Sequence, residues 1–451
     1  MYLKKDKFLI VGASKSGIGA ATLLLKKGAK CYVYDDNQSE NVKNAERNLE
    51  NLGAVIVSKE ELAEVVENVD IVVLSPGVAI DHDVPVSAKR GGKRVIGELE
   101  LASYFCHAPI VAVTGTNGKT TTCTMIDCVL SGAGIDSVLC GNIGTPVSTV
   151  LDKLNDDSVV VAEVSSFQLE TVSRFAPHIA VVLNVTPDHL SRHYNMENYI
   201  FIKSRIVQGL KESEYAVLNY DDQTVRKFSE KTKAKIIYFS TKTEVDGAYV
   251  ANGKIFYKGK YVVDVSALQF SEEHNLGNAL ATVCVAELMG VGEESIAENL
   301  CSFKGVRHRI QFIKSINGVD YYNDSKATNV DATIKAIDAM RKPTVLILGG
   351  KDKGLGYDGL FEKIKKSSVK EVIMTGESKF ALFESASRSS FKNLSVIDDF
   401  YLAIKVASMI AKPGDAVLLS PACSSFDRFS DFEERGEEFI KTVEALDEKP
   451  D

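Results

Sequence analysis

A chain of 451 residues is too long for a single hydrophobic core, and 45% hydrophobic with 25% charged residues is the make-up of an ordinary globular protein of two to four domains. A net charge of −8 argues against nucleic acid as the main ligand, so an anion must be held by local devices such as helix N-termini and single lysines. The eight cysteines form no CxxC pair and no zinc-spaced cluster, no apolar run approaches the roughly 20 residues of a membrane span, and the N-terminus does not read as a signal peptide, so free thiols in a reducing cytosol are expected.

Short continuous apolar runs, each followed by a turn and a helical stretch, recur along the chain. Such runs read as buried parallel strands, whose two faces are both covered by helices. The candidates are residues 8–11, 31–34, 71–74, 110–113, 159–162, 180–183, 215–218, 344–348, 371–374 and 416–419. The alternation predicts α/β architecture in three strand groups. The first runs to about residue 97, the second begins near Pro109, and the third starts after residues 306–309, with 344–348 as its first clear strand. Residues 247–265 read as a β-rich insert with turns at Asn252-Gly253 and Lys258-Gly259.

At the N-terminus, residues 8–11 lead into Gly12-Ala13-Ser14-Lys15-Ser16-Gly17-Ile18-Gly19 and a helix over 20–27, and the second strand ends at Asp35-Asp36. This order is similar to a dinucleotide-binding turn, but Ala13 and Ser14 break the G-x-G-x-x-G spacing. A phosphate- or nucleotide-binding turn of another kind is expected. Ser75-Pro76-Gly77 closes the strand at 71–74 and belongs to the same rim.

The strand at 110–113 is followed by Thr114-Gly115-Thr116-Asn117-Gly118-Lys119-Thr120 and a helix over 121–132. This is the strand–loop–helix order of a phosphate-binding loop: backbone N–H groups face the phosphates, Lys119 supplies charge, and a hydroxyl reaches Mg²⁺. Val113 stands where the general motif has its first glycine. The loop predicts ATP binding and does not choose between kinase, NTPase and ligase.

Downstream, Glu163 ends the strand at 159–162, on the rim where a carboxylate can hold Mg²⁺. The strand at 180–183 runs into Asn184-Val185-Thr186-Pro187-Asp188-His189, which brings His189 to the same rim. Lys203 lies in a helix over 199–206 and by its chemistry alone reads as solvated surface. In the last third, three polar segments stand out: Asn323 to Asn329, Gly349 to Gly354, and Ser420 to Asp427. Two of them follow buried strands, which suggests one shared crevice for a small anionic substrate.

With these motifs together, the chain resembles the Mur ligases of peptidoglycan synthesis, and most narrowly their D-glutamate-adding branch. The likeness rests on residues 114–122, on Glu163-Val-Ser-Ser-Phe-Gln-Leu-Glu170, on Pro187-Asp-His-Leu190, on His274-Asn-x-x-Asn278, and above all on residues 323–329 and 420–425. The missing first glycine at Val113 fits it too. The resemblance implies three domains: 1–97, Rossmann-like, for a UDP-sugar; 98–305, a central P-loop ATPase-type parallel sheet; and 306–451, Rossmann-like, for the amino acid.

It also implies an ATP-dependent ligation through an acyl phosphate, in the cytoplasm and by a monomer, with UDP-N-acetylmuramoyl-L-alanine and D-glutamate as substrates. Gly115, Thr116, Asn117, Gly118, Lys119, Thr120 and Thr121 would hold the ATP phosphates, and Asn275, Asn278, Arg309 and Asp324 the adenosine. Thr120 and Glu163 would hold one Mg²⁺. His189 and a carbamylated Lys203 would hold a second, which replaces the surface reading of that lysine. Lys15, Ser16, Asp35, Asp36, Asn37, Gly77 and Asn142 would contact the UDP-sugar, and Lys326, Thr328, Lys353, Ser425 and Phe432 the D-glutamate. Ser191, where an Asp is common, and Asn37, where some members carry Arg, depart from the pattern.

Overall fold

Three sheets follow one another along the chain. The structure, a computed structural model, describes residues 6–446 except 38, 270–272 and 353–355, and of residues 191, 273, 274 and 331 the backbone alone. The chain divides into two compact units, Met1–Phe303 and Lys304–Asp451. The first holds two sheets and the second holds one.

The first sheet is wholly parallel. Its strands are β1 (Lys7–Val11), β2 (Lys30–Tyr34), β3 (Val55–Ile56), β4 (Ile71–Leu74) and β5 (Arg94–Gly97), in the order β3-β2-β1-β4-β5. Strand order reverses between β1 and β4, and a ligand crevice opens at the carboxyl ends of strands at such a point. Gly12 follows β1 and Ser75 follows β4, so both stand there. The helix after β1 spans Lys15–Lys26, several residues earlier than the glycine-rich sequence suggests. Gly17 and Gly19 are buried inside it, and a Cβ on Gly17 would lie 1.7 Å from the Gly12 carbonyl oxygen. These glycines serve close packing, not a longer loop.

The second sheet has β6 (Ile110–Thr114), β7 (Ser137–Gly141), β8 (Val159–Glu163), β9 (Ile179–Val182), β10 (Tyr215–Asn219), β11 (Lys235–Ser240), β12 (Gly247–Ala251), β13 (Lys254–Tyr257) and β14 (Lys260–Asp264). Their order is β14-β13-β12-β11-β10-β9-β6-β8-β7. Only β12–β14 pair antiparallel, and their turns at Asn252-Gly253 and Lys258-Gly259 have positive φ at both residues, as tight hairpins require. The middle strands β6, β8 and β9 are buried at every position, which accounts for their unbroken apolar sequence.

The third sheet has β15 (Gln311–Ile316), β16 (Val319–Asn323), β17 (Thr344–Gly349), β18 (Val369–Thr375), β19 (Leu394–Val396) and β20 (Ala416–Leu419), ordered β15-β16-β20-β17-β18-β19. A hairpin, β15 and β16, opens this group after residue 309, and β17 is its first strand buried at every position. The hairpin strands were illegible as buried runs because Gln311, Lys314, Ser315 and Asp320 interrupt them, as suits an antiparallel edge.

Candidate active site

The phosphate loop leaves the centre of the second sheet. Val113 belongs to the strand itself: it is fully buried and lies opposite Glu163 of β8. The loop therefore opens at Gly115, and the chain has no need of a glycine at 113. Gly118 adopts a φ of +85° before the helix Lys119–Gly132 begins, and a Cβ there would sit 2.5 Å from the Asn278 side-chain oxygen. Asn278 thus packs directly on the loop, and its amide donates to Asn275 Oδ1 at 3.3 Å. Lys119 folds back, with Nζ donating to the carbonyls of Gly115 (2.9 Å) and Thr116 (3.0 Å).

A carboxylate faces the start of that helix. Glu163 ends β8 and is 3% exposed. The Thr120 hydroxyl donates to Oε2 at 2.8 Å, and the Asn142 amide donates to Oε1 at 2.8 Å. Both oxygens are thereby fixed beside the first turn of that helix. Asn142, expected among the UDP-sugar contacts, stands beside Glu163, with its backbone N–H also bonded to the Glu163 carbonyl at 2.8 Å.

The reading of Lys203 as solvated surface is corrected. This lysine lies in the helix Met196–Gln208, is 1% exposed, and donates from Nζ to the Gly115 carbonyl at 2.9 Å. Burial, and next the charge of Lys119, push its pKa well below the ordinary lysine value, against an opposing pull from Asp188. Both effects act against the charged form of the amine under the loop. Tyr199, one turn earlier, shares a 3.1 Å hydrogen bond with the Thr116 hydroxyl.

His189 adopts a left-handed conformation (φ 51°) ahead of the short helix Leu190–His193, with half its ring exposed and Nε2 3.5 Å from an Asp188 oxygen. Its ring centroid is 5.0 Å from that of Phe167. Asn184, a residue not singled out in the sequence, clamps the loop at two points. Its Oδ1 accepts from the Asn117 N–H at 2.9 Å, and its Nδ2 donates to the Asn117 carbonyl at 3.2 Å.

In the first sheet, Asp35 is committed to the backbone. Its carboxylate accepts from the N–H groups of Ala13 (2.6 Å) and Asn37 (2.8 Å), and so shapes the turn after β1. Asp36 accepts from the Tyr34 hydroxyl at 2.6 Å and lies 2.9 Å from His82 Nε2; the Tyr34 bond is the main cause of its lowered pKa. Asn37 caps the Ser39 N–H at 2.9 Å. Lys15 and Ser16 open the helix at the rim, Lys15 exposed and Ser16 half-buried. Gly77 follows β4 on the same side.

In the second unit, β16, β20 and β17 lie side by side and parallel, so the segments after Asn323, Gly349 and Leu419 emerge together. A further bridge pairs Lys351 with Ser424. Lys326 Nζ lies 5.7 Å from the centre of the Phe432 ring, and the Thr328 N–H donates to the Lys326 carbonyl at 2.9 Å. Ser425 is buried, and Lys353 lies outside the described residues. Asp324 is buried, accepting from the Ser420 hydroxyl at 2.7 Å and the Ile310 N–H at 3.2 Å; burial raises its pKa to about 7. Arg309 is exposed, flanked by His308 and Ile310 at positive φ. Sequence reasoning missed Arg435. Though 2% exposed, it binds the Ser325 hydroxyl (2.9 Å), the Ser325 carbonyl (2.8 Å) and the Cys423 carbonyl (3.1 Å), tying two of the polar segments together.

Comparison with known families assigns all three regions. Residues 6–97 match the Mur ligase MurD-like N-terminal domain, 113–286 the Mur ligase middle domain, and 308–423 the Mur ligase glutamate ligase domain. The chain belongs to the Mur ligase family. Members of this family are ATP-dependent ligases. A protein of Caldanaerobacter subterraneus named UDP-N-acetylmuramoylalanine–D-glutamate ligase is 41% identical over 449 residues, covering 99% of this chain and all of its own. One of the same name from Clostridioides difficile is 39% identical over 452 residues, with 99% and 100% coverage.

Among solved structures, this Mur ligase shares its fold with MurF from Acinetobacter baumannii (TM-score 0.61, 16% identity, 99% and 97% coverage). It also matches UDP-N-acetylmuramate-alanine ligase MurC from Thermotoga maritima (TM-score 0.56, 19% identity, 98% and 100% coverage). Among the described residues, no helix is long and apolar enough to cross a membrane.

Proposed function

We propose that this protein is an ATP-dependent amide ligase that joins D-glutamate to UDP-N-acetylmuramoyl-L-alanine in cytoplasmic peptidoglycan precursor synthesis. The observation that carries this reading is full-length likeness: proteins bearing that name are 38–42% identical and align over 98–100% of this chain and of their own.

The chemistry is positioning and charge neutralisation. A carboxylate oxygen of the nucleotide-sugar attacks the γ-phosphorus of ATP, and the bond to ADP breaks. The amine of D-glutamate attacks the acyl carbon, loses a proton, and expels inorganic phosphate. Lys119, whose Nζ lies against the Gly115 and Thr116 carbonyls, would neutralise the β- and γ-phosphates. The loop amides held by Asn184 would orient them, and Asn275 and Asn278 would border the adenosine with Arg309 and Asp324.

Thr120 and Glu163 offer hard oxygen donors 2.8 Å apart, a fit for Mg²⁺. Among the described residues no three His, Cys, Asp or Glu side chains form a metal-holding group, so such a ligand set would be completed by the hydroxyl and by substrate oxygens. Mg²⁺ would screen the phosphate charge. A second ion would draw on His189 and on Lys203 as its carbamate, and the neutral amine favoured by burial is the form that adds CO₂. Lys15, Ser16, Asp35, Asp36, Asn37, Gly77 and Asn142 would serve the nucleotide-sugar, and Lys326, Thr328, Lys353, Ser425 and Phe432 the D-glutamate.

Phosphate release from ATP tests the reading. It should require UDP-N-acetylmuramoyl-L-alanine and rise with D-glutamate. Equal release with L-alanine, L-lysine or meso-diaminopimelate would refute it.

A further inference from the structure

One contact joins the first sheet's rim to the second sheet's site, and no role above uses it. Arg192 lies in the short helix after His189. Its guanidinium grips Glu170 with two bonds, Nε to Oε1 at 3.1 Å and Nη2 to Oε2 at 2.7 Å. Nη2 also donates to the Val78 carbonyl at 2.9 Å, and Nη1 lies 3.5 Å from the Gly77 carbonyl. The Phe167 ring supports the cation from 4.9 Å. Glu170 is itself fixed: it is 8% exposed, and its carbonyl accepts from Arg205 at 2.7 Å. Two residues on, Tyr194 holds a positive φ of 67° while its hydroxyl donates to Asp81. The segment 189–194 is thus anchored on Glu170 at one side and on residues 77–81 at the other.

A second attachment lies elsewhere. Gly19 packs on Ser148 and Thr149, where a Cβ would come within 2.5 Å of the Ser148 hydroxyl, and Lys26 pairs with Asp152 at 2.5 Å. The two sheets therefore remain joined if Arg192 is removed. What is lost is the direct tie from Glu170 to the Gly77 and Val78 carbonyls, which leaves the Tyr194–Asp81 bond to hold the segment 189–194 to the rim.

We propose that Arg192 is a positioning residue for the nucleotide-sugar. It is the strut that holds the Gly77–Val78 rim, so that a substrate seated there presents its carboxylate to the γ-phosphate. This rests on the function proposed above. A planar guanidinium suits the task because it serves a carboxylate and a carbonyl at once, whereas an ammonium cannot reproduce that fork. Misplacement by ~1 Å costs on the order of a hundredfold in such a reaction.

The test uses the full-length protein and the variants Arg192→Ala and Arg192→Lys. In Arg192→Ala, the KM for UDP-N-acetylmuramoyl-L-alanine should rise about tenfold or more and kcat should fall, while the KM for ATP stays within about twofold. Arg192→Lys should lie between. Hydrogen exchange without any substrate supplies an independent readout: amides 77–81 should lose protection in Arg192→Ala, while those of β6 and β8 keep theirs. An unchanged KM for the nucleotide-sugar, a parallel rise for ATP, or unaltered exchange at 77–81 would overturn the strut. A wild type without D-glutamate-dependent phosphate release would instead overturn the functional reading, and the exchange result would still decide the strut.

Discussion

Thr120 and Glu163, 43 positions apart, meet across 2.8 Å because β6 and β8 are neighbours and both end at the same edge of the sheet. The hydroxyl lies in the first turn of the helix that follows the phosphate loop, and the carboxylate closes the adjacent strand. Glu163→Gln keeps the shape and removes the charge. Phosphate release should fall by about a hundredfold or more, since charge stabilisation aimed at the reacting group is the main contribution here. Asn142→Ala removes one hydrogen bond from the same carboxylate and should cost only about tenfold. Activity of Glu163→Gln close to the wild type would exclude a role for this carboxylate in holding charge.

Lys203 offers a sharper test, because its buried amine lies 2.9 Å from the Gly115 carbonyl and its pKa is held far below the usual range. Lys203→Ala should be nearly inactive and partly rescued by short carboxylic acids that stand in for a carbamate. Lys203→Arg should be inactive and not rescued, because a guanidinium stays charged and cannot add CO₂. In the wild type, ¹³C-labelled bicarbonate should give a carbamate signal that the variants lack. Full activity in Lys203→Ala would refute carbamylation.

Much of this was legible in the sequence wherever one local pattern carried the signal. The phosphate loop and the polar segments after Gly349 and Leu419 follow strands that are buried at every position, Glu163 ends another, and such strands read as apolar runs, whereas the segment from Asn323 follows the alternately buried β16 and stood out by its polar residues alone. Side chains whose meaning depends on distant partners were not legible. Lys203 sits on a helix, where lysine normally reaches water, and its burial follows from the loop passing over it. Arg435 is separated from Ser325 by 110 residues, and Arg192 from Val78 by 114. Neither spacing leaves a periodic trace.

Asn184 should prove as sensitive as the loop it clamps. Asn184→Ala removes both of its bonds to the Asn117 backbone, and the KM for ATP should rise about tenfold, the worth of one or two net hydrogen bonds. Asn184→Asp should be worse, because it cannot donate to the Asn117 carbonyl and brings negative charge towards the phosphates. Measured ATP binding by Asn184→Ala that equals the wild type would remove the clamp from the account.

Asp324 gives the C-terminal unit a pH dependence of definite sign. Burial lifts its pKa from 3.8 to about 7, although Ser420, the Ile310 N–H and the charges of Arg309 and Arg435 all oppose the rise. Between those two values the folded state keeps a proton that the unfolded chain has released. The associated stability is therefore fully present below about pH 4 and is lost as pH climbs through about 7. Asp324→Asn stays neutral throughout and should flatten this slope. Hydrogen exchange of the β16 and β20 amides at a series of pH values, corrected for intrinsic rates, reads the stability of this unit directly. If wild type and Asp324→Asn lost protection equally between pH 4 and 7, the buried carboxyl would not be the group that titrates.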